Sequence, residues 1–89
     1  METITHPTLV QLVASGAVRV VVAVGQPGGW TLLVRYGLAE RALAAQRSKQ
    51  LRVFRKLDTL VLYLQQIGVS RFEVDAAGFM DVPRQIRIS

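Results

Sequence analysis

The sequence contains no cysteine, so neither a disulfide nor a thiolate metal site can hold the chain together. Its one histidine, His6, has no second metal-type ligand at a useful spacing, which argues against a zinc centre. Long apolar runs are missing. The longest, Ala17 to Gly25, is broken by Arg19 and is too short to span a bilayer. The opening METITHPTL carries Glu2 early and lacks the basic-then-apolar order of a secretory signal. These absences lead to the expectation of a cytoplasmic protein with no membrane segment. Catalytic arrangements are scarce too. Ser15, Ser48, Ser70 and Ser89 fall at turn-like or terminal positions without the base that a nucleophile needs. Glu73 and Asp75 lie two apart on a strand-like segment. Such a pair can do acid–base work, but on an edge strand it more often stays solvated or meets a neighbour such as Arg71. The expectation is a non-enzymatic protein with no cofactor, no metal and no catalytic residue.

What the sequence does have is apolar content and a localised positive charge. Of 89 residues, 51% are apolar, enough for one folded domain (1–89) with a small core. An apolar surplus on so short a chain favours burial in an oligomer, so a homodimer is expected. The net charge is +5, and its position matters more than its size. Between Arg35 and Lys56 there are seven basic residues against the single acid Glu40, while the rest of the chain has four basic and five acidic residues. A segment of this density concentrates polyanions near it. It also fits a solvated strand face.

Periodicity supplies the elements. Residues 1–7 read as a flexible leader. Leu9, Val10, Leu12 and Val13 then make one apolar face of a short helix, Thr8 to Ser15, with Thr8 as its cap and Ser15-Gly16 as its stop. AVRVVVAVG (17–25) is a valine-rich strand, with Val18, Val20, Val22 and Val24 on one face. GQPGGW (25–30) is a turn into the strand WTLLVRY (30–36), and the two strands pair as a hairpin. A glycine-rich turn can cradle phosphate, but that use needs a helix after it, and a strand follows here. GLAERALAAQRSKQ (37–50) fits helix by composition and strand by alternation. The hairpin before it favours strand for Ala39 to Ala45, with RSKQ as a turn. LRVFRK (51–56) reads as a fourth strand. In LDTLVLYLQQIG (57–68), Leu57, Leu60, Val61, Leu64 and Ile67 form a helical stripe, Asp58 sits in the first turn, and Gly68 is a left-handed stop. VSRFEVDA (69–76) is a last strand. Residues 80–89 form a tail or edge strand, in which Ile86 and Ile88 alternate with Gln85, Arg87 and Ser89.

The architecture that follows is α+β: a short N-terminal helix, an antiparallel meander of three to four strands, one packed helix and a final strand. The candidate nucleic-acid contacts are Arg41, Arg47, Lys49, Arg52, Arg55 and Lys56. Phe54 lies between Arg52 and Lys56, an arrangement that can stack a base between phosphate grips. With aromatics at only 7% of the chain, the core has the stronger claim on Phe54 and Trp30.

The segments VGQPGGW (24–30), RYG (35–37), RALAAQRS (41–48), RVFRKLDTLVLYL (52–64) and RFEVDAAGF (71–79) resemble the small ParC-type partition-associated proteins of bacterial plasmids and integrative elements. These are distinct from the topoisomerase subunit of the same name. The resemblance covers residues 24–79 and implies a mobile-element protein encoded near partition or stability genes. It carries no catalytic residue. Two functions are therefore expected in competition: a plasmid-maintenance accessory protein that binds DNA through 35–56, or an interaction module that pairs with itself or with another partition or toxin–antitoxin component and touches no nucleic acid.

Overall fold

The computed structural model describes residues 2–80. Its elements are β1 (Thr3–Ile4), α1 (His6–Ala14), β2 (Val18–Gln26), β3 (Gly29–Tyr36), β4 (Ala39–Leu43), α2 (Leu57–Ile67) and β5 (Glu73–Asp75). The strands form one mixed sheet in the order β1-β4-β3-β2-β5. The meander β2–β3–β4 is antiparallel. β1 runs parallel to β4, and β5 parallel to β2. The fold is α+β, with the N-terminal helix, the meander, the packed helix and the final strand that the periodicity predicts.

Both helices contribute to one core. Leu9 of α1 and Leu60, Tyr63 and Leu64 of α2 join Val21, Ala23, Trp30, Leu32, Val34 and Leu43 from the sheet. Alternation explains most of this set, because every second side chain of a strand shares a face. The core face of β2 is Val21 and Ala23, not the Val20, Val22 and Val24 series. A register shift between Val18 and Val20 leaves Val18 packed on the same core and displaces Arg19 to the surface.

The N-terminal residues depart from the expected leader. Thr3 and Ile4 pair with Ala42 and Leu43, Ile4 is buried, and α1 starts at His6 behind Thr5 rather than at Thr8. Pro7 lies inside the first turn, where a missing N–H costs nothing. α2 follows its stripe closely: Leu60 and Leu64 are fully buried, and Gly68 caps the helix at φ +96°.

Segment 51–56 is not a strand. It meets the sheet only at two isolated bridges, Leu51 with Ala44 and Phe54 with Trp30. The reason lies in the lengths of β3 and β4: β4 ends at Leu43, opposite the middle of β3, and the chain crosses from one strand to the other to fill the vacant place. Gly29 makes this crossing feasible, since a Cβ there would stand 2.5 Å from the Phe54 carbonyl oxygen. Gly25 admits Phe79 in the same way, with a Cβ at 2.7 Å from that residue's own Cβ, and Phe79 stacks on Trp30 at 4.8 Å. The glycines of GQPGGW thus serve close packing. The edge strand expected over Gln85–Ser89 lies outside the described residues.

Two substitutions separate these contributions. Leu64→Ala should cost about 2–5 kcal/mol in urea unfolding, against less than about 0.5 kcal/mol for Leu62→Ala on the exposed side of α2. Gly29→Ala should cost about 1–3 kcal/mol by overpacking, although it adds a residue that is otherwise better tolerated in a strand.

Candidate nucleic-acid interface

The basic segment is built on a closed loop at the end of β4. Ala45 donates its N–H to the Gln50 carbonyl (2.8 Å), and Lys49 donates to the Ala45 carbonyl (2.9 Å). The Ser48 hydroxyl oxygen accepts from the Gln50 N–H (3.2 Å). Lys49 has φ +64°, the left-handed region that non-glycine residues seldom occupy. The RSKQ stretch is therefore a pinned turn that holds Arg47 and Lys49 exposed. From there the chain anchors through Arg52, whose N–H donates to Leu43 O (3.0 Å), and through Phe54, which exchanges two 2.8 Å hydrogen bonds with Trp30. Arg55 and Lys56 follow on the exposed bend into α2.

Electrostatics divides the seven cations of 35–56 into two groups. Arg35 pairs with Glu40 at 2.6 Å, and that hydrogen bond raises the guanidinium above its ordinary value. Arg41 pairs with Glu2 at 2.6 Å and donates to the Glu40 carbonyl at 3.1 Å. Among the described residues, Arg47, Lys49, Arg52, Arg55 and Lys56 form no ion pair. Five of the six residues singled out in the sequence are thus brought together on one continuous stretch with their charge uncompensated. Arg41 stands apart on β4 with its charge already met.

Arg52 has a further anchor. Its guanidinium carbon lies 4.6 Å from the Phe54 ring centre and 5.0 Å from that of Tyr63, within cation–π range. His6 Nδ1 and the Tyr63 hydroxyl oxygen are 2.8 Å apart, a hydrogen bond whose donor depends on the imidazole tautomer. His6, expected to be free, is thus tied to α2. Burial pushes the Tyr63 phenol up from its ordinary value, and the Arg52 charge opposes that push. Phe54 and Trp30 are both buried, so the base-stacking platform is absent and the rings form a floor under the arginine.

The sequence missed one pairing. Arg19 and Arg71 flank a shallow cleft of about 200 Å³, lined also by Val20, Val21, Phe72 and Glu73. Only the parallel β2–β5 pairing brings these distant segments together, and neither segment alone signals it. Glu73 and Asp75 do share a face, opposite Val22 and Val24. Among the described residues no three His, Asp or Glu side chains gather as a metal site requires, and no helix is long and apolar enough to cross a membrane.

A family model described as ParC-like aligns with residues 4–85. No curated protein and no solved structure matches the chain.

The aromatic floor makes an alkaline prediction. A folded-state Tyr63 pKa above the unfolded value of 10.0 favours the neutral phenol, so its contribution to stability is fully present below that pH. It is lost as pH rises from there through the higher folded value. Denaturation midpoints measured across this range should fall less steeply for Tyr63→Phe than for the wild type.

Proposed function

The chain belongs to the ParC-like family, and on that premise we propose that it is a non-enzymatic accessory protein of plasmid or mobile-element maintenance that binds nucleic acid through residues 47–56. The observation that carries this reading is the run of five cations, Arg47, Lys49, Arg52, Arg55 and Lys56, with no ion pair among the described residues. A charged side chain that contributes only to solubility gains from a nearby opposite charge. Here Glu40 and Glu2 are already engaged by Arg35 and Arg41, and Asp58, the acid closest in sequence, forms no ion pair with any of the five among the described residues.

The burial of Phe54 and Trp30 shapes the proposal further. With the Phe54 ring buried beneath the basic stretch, affinity comes from phosphate contacts, which position a duplex but read no sequence. The expected behaviour is sequence-tolerant binding. The competing role is an interaction module without nucleic-acid contact. Self-association by itself is compatible with binding, since a dimer carries two basic loops.

Binding to a labelled duplex should weaken steeply with salt. Five phosphate contacts give a slope of log K against log salt of about −4.5. The combined variant Arg47→Ala, Lys49→Ala, Arg55→Ala, Lys56→Ala should lose most of the affinity while its circular dichroism stays that of the wild type. Arg41→Ala should leave binding nearly unchanged. Salt-independent affinity, or no binding at low salt, would overturn the proposal.

A further inference from the structure

The aromatic contacts among the described residues differ in geometry. His6 meets Tyr63 at an interplanar angle of 57°, and Phe54 meets Tyr63 at 48°. Tilted pairs of this kind fill cores. Phe79 and Trp30 are stacked instead, with ring centres 4.8 Å apart and planes within 13° of parallel. The inner ring of this stack is closed in, since Trp30 is 7% exposed, whereas Phe79 is 38% exposed. One face of Phe79 lies on the indole, so its exposed side is the one turned away. The platform expected on Phe54 and Trp30 is absent because both are buried, but the stack reaches the surface one ring further out.

The backbone holds that ring in place. A Cβ on Gly25 would stand 2.7 Å from the Phe79 Cβ, and a Cβ on Gly78 would stand 2.8 Å from the Gly25 carbonyl oxygen. Two absent side chains thus let segment 78–80 lie against β2. Phe79 donates its N–H to the Ala76 carbonyl (3.0 Å), and the Met80 carbonyl accepts from the Gly28 N–H (2.8 Å). An exposed ring on a backbone fixed before and after it loses little freedom when a ligand stacks on it.

Positive charge stands on the same row. The register sets Gly25 beside Trp30 and Trp30 beside Phe54, and cross-strand partners share a face. The row across this end of the sheet is therefore Phe79 over Gly25, then Trp30, then Phe54, with the Arg52 guanidinium carbon 4.6 Å from the Phe54 ring centre. Phe54 and Gly25 are two strand spacings apart, about 10 Å, a gap that a polynucleotide strand covers in a few nucleotides. Glu73 and Asp75 of β5 pair with Val22 and Val24 and so lie on the other face.

We propose that the outer face of Phe79 is a stacking site for an unpaired nucleobase, with a nearby phosphate of the same strand on Arg52. This rests on the nucleic-acid reading above and narrows its substrate class to single strands. Phosphate contacts alone are open to duplex and single strand alike. Inside a duplex each base is held in the stack and out of reach, so an open ring favours only an unpaired one. Every base has a π-face, and the preference is therefore for strandedness and not for sequence.

The test uses the full chain with a labelled single strand of about 12 nucleotides and the duplex of the same sequence, at equal salt. The single strand should bind more tightly. Phe79→Leu keeps an apolar cover on Trp30 and removes the π-face. It should weaken single-strand binding about fivefold or more and leave duplex binding unchanged. Phe79→Tyr should restore the single-strand affinity. Ultraviolet irradiation should cross-link the single strand, and not the duplex, to the peptide that contains Phe79. Single-strand binding that is the same in wild type and Phe79→Leu, with salt-dependent duplex binding intact, would overturn the stacking site and leave the phosphate reading standing. An equal loss on single strand and duplex would also overturn it, because that loss belongs to the fold and not to a stacked base. No binding of either nucleic acid at low salt would overturn both readings.

Discussion

The close approach of Phe54 to the start of β3 is the contact on which the rest of the molecule depends. Two 2.8 Å hydrogen bonds join Phe54 to Trp30, and the missing side chain at Gly29 leaves room for them. This junction carries the chain from the end of β4 to the beginning of α2. It places the Phe54 ring against Tyr63 at 5.6 Å, and so fixes how α2 lies on the sheet. It also ties down the far end of the basic loop, whose near end is held by the hydrogen bonds around Ala45. A loop fixed at both ends loses little further freedom on meeting a partner, and that favours affinity.

Charge is sorted on this scaffold by what each cation has beside it. The hairpin end of the sheet keeps Arg35 with Glu40, and the N-terminal edge keeps Arg41 with Glu2. These exposed pairs are worth little to stability, but they remove two cations from the field and leave the 47–56 stretch as the dominant positive feature. Arg52 is the exception within that stretch, because its charge also rests on the Phe54 and Tyr63 rings. It serves packing and presentation together.

Much of this was legible in the sequence, and the failures have physical causes. The valine run, the stripe from Leu57 to Ile67 and the glycine at 68 each carry a local signal strong enough to define an element. The strand expected over Ala39 to Ala45 forms over Ala39 to Leu43, although its composition favours helix, because the preceding hairpin needed a neighbour. The alternation in 51–56 misled, since it reflects a chain that touches the sheet at two points rather than along its length. Thr3 and Ile4 gave no signal, because a two-residue strand is made by its partner across the sheet. The cluster of basic residues was visible as composition. Which of them were already neutralised was not, since Glu2 and Arg41 meet only through the β1–β4 pairing. The cleft between Arg19 and Arg71 was hidden for the same reason.

The two edges of the sheet have a history that differs from that of its centre. β2, β3 and β4 are joined by short turns and close over neighbouring residues. β1 meets β4 through Thr3 and Ala42, and β5 meets β2 through Val22 and Glu73, contacts that enclose most of the chain between them. Loop closure of that span is slow. The meander can therefore zip up first, with β1 and β5 arriving last as both ends of the described chain are drawn in along parallel tracks. Elements that join late and rest on two or three residues are also the first to open. Glu73 and Asp75 on β5 and the Glu2 that neutralises Arg41 all belong to these late-arriving edges, so fraying at either end would redistribute the surface charge before the core is disturbed.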